Sequence, residues 1–196
     1  GGAVIEKKED NKHICVYCGS KSGRGEVYYR EAKLLGTAIA LNGYGLVFGG
    51  GNVGLMGAVA EGTLEAGGSA TGVIPHALAK RDLAHRELHE LIVVNDMHER
   101  KAIMAQRADA FVALPGGYGT LEELFEVVAW LQLGFHTKPI GLLNTEGYYD
   151  DLIAFLDNAV QHQFLYIEHR SLLNVESKAD ELVNTLVAQL DLEKKT

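Results

Sequence analysis

Two short stretches of this chain hold the residues best suited to do chemistry. One is Pro115-Gly116-Gly117-Tyr118-Gly119-Thr120-Leu121-Glu122-Glu123, and the other, one strand earlier, is Met97-His98-Glu99-Arg100-Lys101. In the first, the apolar run 110–114 stops at Pro-Gly-Gly, and the chain then enters an amphipathic helix that carries two acids. Glycine amides and the positive end of a helix together make a cradle for an anion, most simply a phosphate. A carboxylate one turn further in lies close to whatever that phosphate anchors. In the second stretch, Arg100 and Lys101 occupy the first turn of a helix, where cations oppose the helix dipole. That placement makes sense if they face an anion.

Other motifs are weaker. Gly49-Gly50-Gly51-Asn52-Val53-Gly54 matches G-x-G-x-x-G between a strand and a helix, the setting of a dinucleotide fingerprint. The next strand ends Gly72-Val73-Ile74-Pro75, without the acid that would hold a ribose. That argues against a nicotinamide-type site and leaves a phosphate or ribose contact through this loop, or a structural turn. Cys15-Val16-Tyr17-Cys18 lies on a strand, which sends its two thiols to opposite faces and favours buried thiols over redox or zinc chemistry. Thr120 and Glu123 have the spacing of a capping box, as do Asp96 and Glu99. His85 and His89 lack a third ligand, so no metal site is expected, and the absence of G-x-S-x-G gives no support to a serine hydrolase.

These residues need a scaffold, and short β-branched runs alternating with helical periodicity supply one. Strands are predicted at 13–18, 45–48, 70–74, 91–94, 109–114, 139–143 and 172–175. Helices are predicted at 26–41, 53–66, 97–107, 121–133, 148–162 and 179–190, with 76–90 a mobile loop or short helix. The fold class is α/β: a Rossmann-like, doubly wound parallel sheet with helices on both faces. Right-handed crossovers bring the turns at Gly19-Ser20, Gly49–Gly51 and Pro115–Thr120 to one sheet edge.

With 196 residues, 47% of them hydrophobic, the chain suits one domain over 13–190, a flexible segment over 1–12 and a polar tail over 191–196. A net charge of −8 argues against nucleic acid as a partner. No apolar run approaches the roughly 18 residues of a spanning helix, so no membrane is expected. The polar first residues show no signal-peptide core, and a cytoplasmic location is expected.

Taken together, the two motifs, the Gly49-Gly50-Gly51-Asn52-Val53-Gly54-Leu55-Met56-Gly57 loop, Cys18-Gly19-Ser20 and Trp130-Leu131-Gln132-Leu133-Gly134 resemble the LONELY GUY family over roughly 13–190. Its members are cytokinin riboside 5′-monophosphate phosphoribohydrolases, formerly labelled lysine decarboxylases. The resemblance implies hydrolysis of an N6-modified adenosine monophosphate to free base and ribose 5-phosphate, without a cofactor, in a homodimer. It places the essential pair on Arg100 and Glu123, and substrate contacts on Lys101, Gly116, Gly117, Gly119 and Thr120. It puts a further acid at Asp82, and the glycine loops add Gly50, Gly51 and Ser20. Two alternatives stand beside it: a glycosidase acting on plain AMP or another nucleoside monophosphate, and a nucleotide-binding module without catalysis. A true lysine decarboxylase would need pyridoxal phosphate on a lysine, and no lysine here has a persuasive setting for it.

Overall fold

The computed structural model describes residues 12–79, 85 and 87–195. Seven strands, β1 (His13–Tyr17), β2 (Gly45–Phe48), β3 (Ala70–Pro75), β4 (Glu90–Val94), β5 (Ala110–Ala113), β6 (Ile140–Leu143) and β7 (Leu173–Glu176), form one sheet. Its order is β4-β3-β2-β1-β5-β6-β7, and every pair is parallel. The helices are α1 (Val27–Leu41), α2 (Gly54–Glu65), α3 (His76–Ala79), α4 (Met97–Arg107), α5 (Tyr118–Gln132), α6 (Asp150–Gln161), α7 (Ile167–Arg170) and α8 (Ala179–Glu193).

The central strands are apolar on both faces because both faces are covered. Ile14 and Val16 of β1, with Leu46 and Phe48 of β2, meet Leu35 and Ile39 of α1, Val59 of α2 and Leu182 of α8. Cys15 and Tyr17, one residue out of phase, join Phe111, Met104 of α4 and Leu124 and Val127 of α5 on the other side. The alternation along β1 thus separates two cores, and it confirms that the two thiols of the C-x-x-C diverge: Cys15 packs in the second core, Cys18 against the first.

The chain runs outward from β1 to β4 and then returns to the other side of β1 with β5. Tyr17 pairs with Ala113, so the turns after β1 and β5 leave the sheet at one level and part in opposite directions. Open α/β sheets bind ligands in the crevice at such a switch point.

The expected strands and helices are observed with shifted ends, and the short helix α7 was not foreseen. Helix α5 begins at Tyr118, not Leu121, because the chain turns at once after Pro-Gly-Gly. Residues 145–147 form a separate 3-10 turn ahead of α6. The predicted loop opens with α3, and α8 runs to Glu193, into the segment expected as a polar tail. Residues 1–11 of the expected N-terminal segment lie outside the described residues. Among the described residues no helix is long and apolar enough to cross a membrane.

Candidate active site at the sheet switch point

A cleft of about 680 Å³ opens above the C-terminal ends of β1 and β5. Arg100, Glu123, Gly116, Gly117, Gly119, Thr120 and Ser20 all line it, so most of the expected site converges.

The anion cradle lies at the start of α5. Its N-cap is Gly117, and among the described residues no side chain caps it. The first intrahelical bond runs from the Leu121 amide to the Gly117 carbonyl, 3.1 Å, which leaves the first-turn amides before it without intrahelical partners. The capping box expected of Thr120 and Glu123 is not formed. Thr120 is the third residue of the helix, buried and folded back beneath the loop, where a Cβ at Gly116 would collide with it. Among the described residues no side chain therefore competes with an anion for these amides.

Helix α2, which follows the other glycine loop, differs. Its Met56 and Leu55 amides donate to the Gly19 and Lys21 carbonyls, at 3.2 and 3.4 Å. Gly54, at φ +60°, permits this approach, because a Cβ there would strike the Ser20 carbonyl. Gly50, at φ +78°, faces Gly72 and Ile74 of β3, and Gly51 packs on Met56. Neither Gly50 nor Gly51, of which a phosphate or ribose contact was expected, lines the cleft; both pack on neighbouring elements.

Gly49, in contrast, does line the cleft and holds Arg100. The Arg100 Nη2 donates to the Gly49 carbonyl at 2.5 Å, and Nε donates to the Val73 carbonyl at 2.8 Å. A Cβ at Gly49 would occupy the guanidinium's place. Buried to 8% exposure, Arg100 is thus fixed by main-chain carbonyls, and its Nη1 edge, 3.7 Å from the Met97 sulfur, remains for other partners. Burial draws its pKa down while Glu123 opposes the change.

Glu123 projects into the same cleft from the second turn of α5. Burial lifts its carboxyl from 4.5 to about 7; the attraction of Arg100 opposes this, and Glu122 adds to the rise. Burial also keeps the Cys18 thiol protonated, with Glu123 reinforcing the effect.

Lys101 does not line the cleft. Its Nζ bonds Glu122 at 2.5 Å and Glu126 at 3.1 Å, tying α4 to α5 on the outside. The capping expected at Asp96 is present: its carboxylate accepts from the Glu99 amide at 2.8 Å, and Glu99 accepts from the Asn95 amide at 2.9 Å. Asp82 lies outside the described residues. Among the described residues no three His, Cys, Asp or Glu side chains gather to hold a metal ion.

Several lining residues were not foreseen. Met56, Met97 and Met104 are all the methionines of the chain, and with Leu55 they give the cleft a soft apolar wall. Composition held that signal, since three methionines near two candidate motifs already suggest an adaptable surface. Lys21 and Arg24 come from the β1–α1 connection, Tyr28 from the first turn of α1, and Tyr148 from the turn after β6. The rule that strand C-termini share an edge pointed to these turns, but not to the side chains that reach the cleft.

Comparisons with known proteins agree with the family resemblance. A family model described as "Possible lysine decarboxylase" matches residues 56–186. A cytokinin riboside 5′-monophosphate phosphoribohydrolase of Arabidopsis thaliana is 49% identical over 177 residues, covering 90% of this chain and 78% of the relative. A second from the same plant is 48% identical over 181 residues, covering 92% and 83%. Among solved structures, a molybdenum cofactor carrier protein of Chlamydomonas reinhardtii superposes with a TM-score of 0.67 at 27% identity, over 92% of this chain and 98% of that one. A molybdenum cofactor binding protein of Rippkaea orientalis, at 23% identity and a TM-score of 0.70 over 93% and 99%, shares the fold. The chain is a member of the LONELY GUY family of cytokinin riboside 5′-monophosphate phosphoribohydrolases.

Proposed function

We propose that the protein hydrolyses the N-glycosidic bond of N6-modified adenosine 5′-monophosphates, releasing the free cytokinin base and ribose 5-phosphate. One observation carries this reading: a helix start that no side chain caps among the described residues and a buried carboxylate one turn behind it share a wall of one cleft. The first-turn amides of α5 take the phosphate, which sets the sugar against Glu123 and makes the encounter effectively intramolecular. As the bond from C1′ to the base nitrogen lengthens, the base takes the electron pair and the ribose becomes cationic. Ionised Glu123 stabilises that cation and orients the water that attacks C1′; the water's proton leaves through the carboxylate and the base ends protonated. Arg100, anchored by Val73 and Gly49, holds Glu123 by attraction and offers its remaining N–H groups to ribose or base.

The methionine wall and Leu55 suit an isoprenoid substituent on N6. The homodimer implied by the resemblance belongs to the same proposal, with Tyr118, 96% exposed beside the cleft, as a residue a partner copy would cover. Light scattering tests the dimer. Incubation with isopentenyladenosine monophosphate, AMP and isopentenyladenosine in parallel tests the reaction, and free base is expected from the first alone. Equal release from AMP would make it a general nucleotide glycosidase, and nucleotide binding without release would make it a binding module; either result overturns the proposal.

A further inference from the structure

The turn after β6 reaches back to the anion loop through two adjacent tyrosines. Tyr149 Oη donates to the Leu114 carbonyl at 2.6 Å, and Tyr148 Oη donates to the Gly116 carbonyl, also at 2.6 Å. These two carbonyls flank Pro115. Left-handed Glu146 (φ 54°) and Gly147 (φ 70°) turn the chain into position. Asn144 fixes the turn, accepting from the Tyr149 amide at 2.7 Å and donating to Asp150 at 2.8 Å. The Tyr148 ring stands edge-on to Tyr149, centroids 4.8 Å apart, and to Tyr28 across the cleft, 6.1 Å.

The two tyrosines differ in setting. Tyr149 is 3% exposed and belongs to the core, whereas Tyr148 is 47% exposed and lines the cleft. A structural anchor has no need of the cleft wall.

We infer that Tyr148 is a positioning residue whose hydroxyl latches the Gly116–Gly117 peptide in its anion-binding orientation. A trans peptide is planar, so the Gly117 N–H points opposite to the Gly116 carbonyl. With glycine on both sides, this peptide meets little steric resistance to flipping, and a flip would turn a carbonyl toward the anion in place of an amide. Holding the carbonyl holds the amide. The hydroxyl has one proton and gives it to Gly116, so it acts through the loop and not as a donor to the ligand.

The inference rests on the phosphate site proposed above. The test compares wild type with Tyr148→Phe, which keeps the ring and its edge contacts. Loss of one hydrogen bond at the cradle should weaken ribose 5-phosphate binding and raise KM for the nucleotide by about tenfold. The phosphate is gripped before and during reaction alike, so kcat should stay within about twofold. Affinity for the phosphate-free riboside should be unchanged. Tyr149→Phe should lower Tm and leave the phosphate-to-riboside ratio as it was. Equal changes for phosphate-bearing and phosphate-free ligands, or no change in folded Tyr148→Phe, overturn the latch while leaving the function intact. In wild type, the Gly117 amide resonance should move when ribose 5-phosphate is added; an unmoved resonance overturns the latch without any variant. A wild type with no preference for the monophosphate over the riboside would overturn the phosphate site and the latch together.

Discussion

Replacing Glu123 by glutamine should make the protein inactive and more stable, and both effects come from one buried charge. Burial raises this carboxyl from 4.5 to about 7 even with Arg100 nearby, so the native state resists its ionisation. At about 1.4 kcal/mol per pKa unit, the ionised form costs the fold about 3 kcal/mol. The sign follows from proton linkage. Between these two values the native state holds a proton that the unfolded chain has lost, so stability falls as pH rises through the window, and the full cost persists above about 7. Glutamine keeps the size and removes the charge. At pH 8 the Glu123→Gln protein should therefore be more stable by up to about 3 kcal/mol, a Tm gain of about 6–12 °C for a chain of this size. At pH 5 the gain should shrink to below about 1 kcal/mol. Urea or thermal unfolding of both proteins at the two pH values measures the difference, and titrations common to both cancel. A variant no more stable than wild type at pH 8, or equally stabilised at both pH values, would refute the reasoning. Base release from the variant would refute Glu123's chemical role as well.

If the ionised carboxylate does the chemistry, kcat/KM should fall about tenfold per pH unit below about 7, whereas a flat profile from pH 5 to 8 would contradict it. Gly49→Ala puts a Cβ where the Arg100 guanidinium sits, so initial-rate kinetics should show a loss of about 100-fold or more, with a lower Tm. Met56→Ala should raise KM for isopentenyladenosine monophosphate more than KM for AMP, by about tenfold, since it removes apolar wall and no polar contact. Lys101→Ala should change nucleotide KM by less than about threefold and stability by less than about 1 kcal/mol, because its partner Glu122 is half exposed. A large rise in KM would return Lys101 to the substrate site.

The fold was legible because its signals are local and repeated. Strand runs buried on both faces, amphipathic helices and glycine stops each mark an element, and strand–helix alternation admits one sheet type. Ends were less legible where two local signals compete. Thr-x-x-Glu at 120–123 has capping spacing, yet the glycines ahead of it let the helix begin at Tyr118 and leave Thr120 inside. At the site, the meeting of Arg100 and Glu123 in one cleft could be read because their motifs are specific. Gly50 and Gly51 pack on β3 and Met56 outside the cleft lining, a placement the sequence did not reveal, since a glycine needed for packing and a glycine needed for a ligand look the same in one sequence. Lys101 sits beside Arg100 in the chain, but helical rotation sends it outward, to acids on α5 that sequence spacing does not reveal. The carbonyls of Gly49 and Val73 that grip Arg100 leave no trace in side-chain chemistry at all.

The self-plugging of α2 has a further consequence. In a dinucleotide-binding relative of this architecture, a glycine-rich turn and the helix behind it seat the pyrophosphate. Here two carbonyls of the chain's own β1–α1 connection already hold the amides of that helix. These bonds weld two neighbouring loops, and among the described residues the glycine-led start of α5, unlike that of α2, has first-turn amides that make no such bond to another loop. A single anion seat is what the proposed reaction on a monophosphate requires.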